Sequence, residues 1–176
     1  VCGHFGYAED IVTQCVLMKD KTATLNAVKH GKPEWVMLNA DAAGYYRFTL
    51  DSAGWTYLLA NVDALSTREQ LATLDSLKAA FAAGEVETGV YIQGLKTFGK
   101  LTHYDVASSA ASGLASLDDL VTDSSSADLA GLTQAMFADR YVAIKNADTA
   151  EGKLLTPTLA ALLTGMGQSS ELRAEF

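Results

Sequence analysis

The chain has 176 residues, enough for one ordinary domain or for two small domains that share an interface. Its 49% hydrophobic and 19% charged residues, with only two prolines, exclude a disordered chain and are typical of a helix-rich one. The net charge of −8 and the scattered lysines and arginines argue against a nucleic-acid partner, and no apolar run approaches the roughly 20 residues that cross a bilayer.

The N-terminal residues predict a β-hairpin that carries both cysteines. The runs VCGHFGY and IVTQCVLM flank the turn AED, and a hairpin centred between Ala8 and Glu9 places Cys2 opposite Cys15. This is a pair without backbone hydrogen bonds, in which Cβ atoms come close enough for a disulfide. Since Ala-Glu is not a favoured two-residue turn, a shifted register with two free cysteines is the alternative. A Cys2–Cys15 bridge predicts an oxidising compartment, periplasmic or extracellular.

Three further strands are predicted before residue 52. They are TATLNAV (Thr22–Val28), EWVML after the turn Gly31-Lys32-Pro33, and GYYRFTL after NADAA. About five short antiparallel strands cannot close an ordinary barrel, so we expect a small sheet that packs on helices or on missing strands. Residues 1–51 are therefore interpreted as a partial β-sandwich domain.

Residues 52–176 carry helix signals, starting with two helices. A short helix is expected over Gly54–Val62, and Ser66 to Glu69 forms a capping box that opens a helix ending before Gly84. In that helix Asp75 is interpreted as structural.

The later helices are predicted from caps and prolines. Expected starts are Glu85, Thr102 with Asp105, Ser126, and Thr156-Pro157. The start at Ser126 is placed at the end of the polar loop TDSSSAD. About six helices with short joins predict a helical solenoid or bundle, and the fold class is α+β. The chain starts at Val1 without Met and stops one turn into a helix in SSELRAEF, so we expect both ends to be boundaries made by processing or cutting.

No catalytic constellation is recognisable in the sequence. The zinc-peptidase motif H-E-x-x-H does not occur, and His4, His30 and His103 each lack a second His, Cys or suitably spaced carboxylate nearby. They are interpreted as surface or strand-edge histidines. The serine-rich run SSAASGLAS (Ser108 to Ser116) is interpreted as a close helix–helix contact. We therefore predict neither catalytic residues nor metal ligands in this chain.

The segment EWVMLNADAAGYYRFTLD is the most specific stretch in the chain. It resembles a signature of the aminopeptidase N-like zinc metallopeptidases, which in that family ends a small β-sandwich and leads into a helical solenoid. Gly54-Trp55 and Leu65 to Val86 continue the resemblance in order and spacing. The matching residues, here called the junction motif, are Trp35, Asn39, Asp41, Gly44, Tyr45, Tyr46 and Arg47.

The residue types of the junction motif predict a structural connection. Asn39 and Asp41 suit a tight turn, and Gly44 suits a backbone angle or close approach that a Cβ would forbid. Tyr45 and Tyr46 are expected on opposite faces of a strand, one toward the sandwich core and one toward the helices. Arg47 is expected to bridge sheet and helices through carboxylate or carbonyl oxygens.

The resemblance implies the C-terminal portion of an enzyme that removes N-terminal residues from peptides. Such a region would pack on a catalytic domain and limit which peptides reach it. None of the family's catalytic or zinc-binding residues maps onto this chain, so zinc is expected only in the parent enzyme and the isolated chain is predicted to be inactive. The alternative is a stand-alone helical scaffold that binds a protein partner.

Overall fold

The computed structural model describes residues 1–25 and 31–168, apart from the side chain of residue 123. In these ranges a three-stranded antiparallel sheet is followed by six α-helices, which confirms the α+β class. The strands are β1 (Cys2–Gly6), β2 (Ile11–Cys15) and β3 (Trp35–Met37). The helices are α1 (Ser52–Ala60), α2 (Thr67–Ala82), α3 (Thr88–Gly99), α4 (Tyr104–Ala115), α5 (Asp123–Ile144) and α6 (Ala150–Gly165).

The chain divides into two compact units. Unit 1 spans Val1–Gly94 and holds the sheet and the first two helices. Unit 2 spans Leu95–Phe176 and holds α4 to α6. The predicted boundary between residues 51 and 52 stays a prediction.

The hairpin has the predicted register. Strand β1 lies between β2 and β3, and Cys2 pairs with Cys15, to which it is joined by a disulfide. The Tyr7 N–H donates to the Asp10 carbonyl oxygen at 2.8 Å, which closes the two-residue turn. The close spacing of side chains at a pair without backbone hydrogen bonds brings the two sulfur atoms together.

Two of the five predicted strands are not found in the described residues. Residues 22–25 form no strand, and 26–28 lie outside the described residues. Residues 44–50 also form no strand, so that prediction is wrong. The reason is visible at Phe48, whose N–H donates to the Ser76 hydroxyl of α2 at 3.4 Å instead of to a neighbouring strand.

The helices of unit 1 begin where local capping signals place them. The Asp51 carboxylate accepts the Gly54 N–H at 2.7 Å at the start of α1. At the start of α2 both halves of the Ser66–Glu69 capping box are present, as predicted. The apolar core of the unit includes fully buried side chains on α1 and α2, among them Trp55, Leu58, Leu74 and Leu77.

The helices of unit 2 begin at other residues than predicted. Helix α4 follows His103 and not Thr102, and α5 follows Thr122, so Ser126 lies inside it. Helix α6 follows Thr149, whose hydroxyl accepts the Gly152 N–H at 3.0 Å, so Thr156-Pro157 is internal. An internal proline costs a helix about 3 kcal/mol. Burial of the leucines on both sides of it offsets this cost, namely Leu155, Leu159, Leu162 and Leu163.

Small residues and one arginine organise unit 2. The small residues of SSAASGLAS include the buried Ala110 and Ala111, and α4 packs against α6, which confirms the helix-contact interpretation. Arg140 on α5 donates to the carbonyl oxygens of Gly99 (2.8 Å), the last residue of α3, and of Leu101 (2.6 Å) and Thr102 (3.0 Å) just after it. It also donates to the carboxylate of Glu151 on α6 at 2.7 Å. The predicted terminal turn in SSELRAEF lies outside the described residues.

Candidate functional site

The junction motif runs from β3 through a short 3-10 turn into the irregular segment that precedes α1. Trp35 is buried over β1, opposite Gly6. A Cβ on Gly6 would lie 2.0 Å from the Trp35 ring, so only glycine permits this approach. The motif is thus fixed to the sheet at its first residue.

Asn39 closes the loop at the centre of the motif. Its side chain is buried, its carbonyl oxygen accepts the Gly44 N–H at 2.8 Å, and its amide donates to the Gly44 carbonyl at 2.9 Å. Inside this loop Asp41 and Ala42 have φ values of 58° and 52°, in the left-handed region that most residues avoid. The two Asn39 hydrogen bonds therefore hold a conformation that the loop residues would not adopt alone.

Gly44 lets the ring of Tyr46 lie close to the backbone. A Cβ at this position would lie 2.0 Å from the ring of Tyr46. The Tyr46 hydroxyl donates to the Leu38 carbonyl oxygen at 2.7 Å, and partial burial of the phenol raises its pKa, against the opposing effect of a backbone hydrogen bond with Cys2. The expectation that Tyr45 and Tyr46 lie on opposite faces of a strand is wrong, since residues 44–50 form no strand, and Tyr45 is fully exposed while Tyr46 is 38% exposed. Without a strand at residues 44–50 there is no inner sheet face for Tyr45.

Three side-chain contacts attach the motif to α2. The Asp41 N–H donates to Oε1 of Glu69 at 3.0 Å, and Glu69 is also the capping-box residue of this helix. Arg47 forms a bidentate pair with Asp75, with Nε 2.7 Å and one terminal nitrogen 3.2 Å from the carboxylate oxygens. Hydrogen bonding to Asp75, and then its charge, raise the pKa of Arg47. A weaker contact runs from the Thr73 hydroxyl to the sulfur of Met37 at 3.8 Å.

A surface groove of about 430 Å³ lies along the motif and α2 in unit 1. The residues that line it are Asn39, Ala42, Gly44, Tyr45, Tyr46, Arg47, Ala72 and Asp75. Its two charged side chains, Arg47 and Asp75, form an ion pair with each other. The buried side-chain amide of Asn39 donates to the Gly44 carbonyl oxygen. The groove therefore offers a binding surface with an exposed tyrosine, and its lining has no nucleophile activated by a base.

The chain was compared with models of protein families. The model of the ERAP1-like C-terminal domain matches residues 35–175, so the match begins at the first residue of the junction motif. The chain belongs to the ERAP1-like C-terminal domain family. This confirms the resemblance to the C-terminal portion of aminopeptidase N-like enzymes. No individual curated protein matches the chain.

In this ERAP1-like C-terminal domain the described helices include none long and apolar enough to cross a membrane. The Cys2–Cys15 disulfide is compatible with an oxidising compartment, extracellular or periplasmic. It lies in the hairpin that precedes the matched region.

The histidines of the chain have different surroundings. His103 is about half exposed and lies 3.8 Å from the Asp105 carboxylate, while His30 is outside the described residues. His4 lies 3.2 Å from a carboxylate oxygen of Glu69 and 3.7 Å from one of Asp41. Sequence reasoning missed this cluster because both carboxylates come from distant parts of the chain. It is the group of side chains in the described structure with ligand atoms suited to a metal ion.

Proposed function

We propose that this chain is the non-catalytic C-terminal region of a zinc aminopeptidase and that it closes over the catalytic domain and shapes peptide access. The match of the ERAP1-like C-terminal domain to residues 35–175 carries this proposal. In this arrangement the catalytic domain of the parent protein is the partner of the chain. Zinc and the catalytic residues belong to that domain, and peptides are the substrates of the parent enzyme.

The internal pairing of the junction motif supports a structural role for it. The guanidinium of Arg47 is hydrogen-bonded to Asp75, the side chain of Asn39 to the backbone of Gly44, and the backbone N–H of Asp41 to Glu69. Groups that already have partners within unit 1 hold the segment on α2 and leave few donors or acceptors for a substrate. The motif thus fixes the end of the sheet to the start of the helical region.

The first test is the reading frame upstream of Val1. We expect it to encode H-E-x-x-H and a further glutamate ligand, the residues that hold a catalytic zinc ion. A start codon close to Val1, together with a stable monodisperse chain that shows no affinity for an aminopeptidase catalytic domain, would instead favour the stand-alone scaffold.

The second test measures peptide access. The parent enzyme is compared with a form truncated before residue 35, using a single-residue amide substrate and peptides of increasing length. We expect the truncation to change the length dependence of kcat/KM for peptides much more than the turnover of the small amide, because the small substrate needs no shaped access path. Adding the purified 176-residue chain back to the truncated enzyme controls for misfolding, since association of the two should restore the length profile. Unchanged length dependence in a truncated enzyme that remains folded would contradict the proposal.

A further inference from the structure

Three polar side chains from separate segments of unit 1 converge beside the central strand of the sheet. His4 comes from β1, Asp41 from the 3-10 turn of the junction motif, and Glu69 from the first turn of α2. The His4 Nε2 atom lies 3.2 Å from Oε1 of Glu69 and 3.7 Å from Oδ1 of Asp41. One ligand atom from each residue lies within 4.8 Å of the other two.

We propose that His4, Asp41 and Glu69 form a binding site for a divalent transition-metal ion of the zinc type. The proposal is independent of the proposed function. Zinc binds imidazole nitrogen and carboxylate oxygen at about 2.0 to 2.2 Å in tetrahedral geometry, which separates neighbouring ligand atoms by about 3.3 to 3.6 Å. The two distances from His4 lie on either side of this range, and all three ligand atoms lie within 4.8 Å of one another. Rotation of the side chains, chiefly of the exposed Asp41, would bring them to coordination distance.

The surroundings of His4 prepare it as a ligand. Its Nδ1 lies 2.9 Å from the hydroxyl of Thr13 on the neighbouring strand. A hydroxyl can both donate and accept, so Thr13 can accept from a protonated Nδ1 and leave the Nε2 lone pair directed at the carboxylates. A second hydrogen bond of this kind, which fixes tautomer and ring orientation, accompanies most metal-binding histidines. The His4 side chain is only 16% exposed, which restricts its rotation further.

Glu69 is held in place by contacts that leave one lone pair available. Its Oε2 accepts from the Ser66 N–H at 3.0 Å and the Ser66 hydroxyl at 2.8 Å. Its Oε1 accepts the Asp41 N–H at 3.0 Å, and a carboxylate oxygen has a second lone pair that can bind a cation. The same N–H contact anchors the backbone of Asp41 beside the site.

Asp41 is the most exposed of the three ligands and lies on the solvent side of the site. Its carboxylate is 81% exposed, so it can rotate toward the ion at little cost and leaves room for water as the fourth ligand. A bound ion would join the sheet, the junction motif and α2 through direct bonds. Because the ion binds the folded state, it would stabilise unit 1 by mass action.

The test is titration of the 176-residue chain with Zn²⁺ by calorimetry and with Co²⁺ by visible absorption. We expect one ion per chain and a Co²⁺ spectrum typical of nitrogen and oxygen ligands. His4→Gln and Asp41→Asn should each weaken Zn²⁺ binding by more than about tenfold, since each removes or weakens a direct ligand. Thr13→Val, at an exposed position of β2, should weaken it by about 10- to 100-fold, the range for loss of a hydrogen bond to a metal ligand.

His103→Gln is the matched control. His103 also has a carboxylate nearby, that of Asp105, but within the described residues it belongs to no three-ligand group. Its replacement should leave Zn²⁺ affinity unchanged. Asp41→Asn is the variant safest for folding, because asparagine tolerates a φ of 58° and the side chain is exposed. Absence of Zn²⁺ binding by the folded chain, or binding that His4→Gln and Asp41→Asn leave unchanged, would overturn the proposal.

Discussion

The two units hold their segments together in different ways. Unit 1 uses several separate links, which are the covalent Cys2–Cys15 disulfide and the polar contacts of the Asn39 loop, the Asp41–Glu69 contact and the Arg47–Asp75 pair. Unit 2 combines apolar packing with Arg140, which donates hydrogen bonds to three carbonyl oxygens and one carboxylate from two other segments. The links in unit 1 are thus spread over several residue pairs, whereas in unit 2 Arg140 alone makes four of them and Gln134 on α5 adds one to the Gly167 carbonyl oxygen.

The largest expected effect is therefore at Arg140. Arg140→Ala should lower the free energy of unfolding of unit 2 by about 3 to 4 kcal/mol, because it leaves carbonyl groups at the end of α3 and Glu151 without their partner. Far-UV circular dichroism measures this loss through the helices. Lys96→Ala, an exposed cation of α3, is the control and should have little effect. An Arg140→Ala protein as stable as the control would show that apolar packing alone holds unit 2.

The disulfide should have the largest single effect in unit 1. Replacing Cys2 and Cys15 by serine should cost about 3 kcal/mol, the loop-entropy value expected for a sequence separation of 13. Tryptophan fluorescence follows this unit, since both tryptophans of the chain, Trp35 and Trp55, lie in it. Reduction of the native protein should shift the transition equally. A much smaller shift would mean that the hairpin unfolds before the rest of unit 1.

Two glycines test how tightly the junction motif is packed, Gly6 against Trp35 at the sheet and Gly44 against Tyr46 at the surface. Gly6→Ala should destabilise unit 1 by about 2 kcal/mol, because its Cβ meets the buried Trp35 ring. Gly44→Ala should cost about 1 kcal/mol or less, because the Tyr46 ring that it meets is partly exposed and can move. Chemical denaturation followed by tryptophan fluorescence gives both values. The reverse order would place the tighter packing on the surface side of the motif.

Arg47 provides the direct contrast with Arg140. The Arg47–Asp75 pair is exposed on both sides, with 64% and 57% of the side chains accessible, so water and salt screen it. Arg47→Ala should therefore destabilise the protein much less than Arg140→Ala, and the difference from wild type should shrink further at high salt. Asp75→Asn should reproduce the effect. A loss comparable to that of Arg140→Ala would contradict the distributed arrangement of unit 1.

The smallest expected effect is the titration of Tyr46. Burial raises the pKa of this phenol above its ordinary value of 10.0, so the folded state retains the proton at pH values where the unfolded state loses it. Its contribution to stability is fully present below the unfolded pKa and is lost as pH rises through the folded pKa. The free energy of unfolding should thus fall less between neutral pH and about pH 11 in Tyr46→Phe than in wild type. Replacing the exposed Tyr45 by phenylalanine is the control, and identical pH profiles for Tyr46→Phe and wild type would refute the assignment.

Local signals predicted much of the fold but not every helix start. The hairpin register followed from the sequence because the turn fixes which residues face each other, and the start of α2 followed because a capping box lies within four residues. The predicted starts at Thr102, Ser126 and Thr156-Pro157 were wrong. Helices α4 and α5 follow His103 and Thr122, neither of which makes a side-chain cap, so no local capping signal marks their starts. Helix α6 starts earlier, after Thr149, whose hydroxyl accepts the Gly152 N–H, and the helix continues through Pro157 with buried leucines on both sides.

The sequence by itself determined the α+β class, the hairpin register and the family, because these depend on neighbouring residues or on a motif of fixed spacing. Tertiary structure alone decided the acceptors of Arg140, the exposure of Tyr45 and the meeting of His4 with Asp41 and Glu69. Contacts between distant segments depend on how whole elements pack. No short-range pattern of residue types encodes that packing.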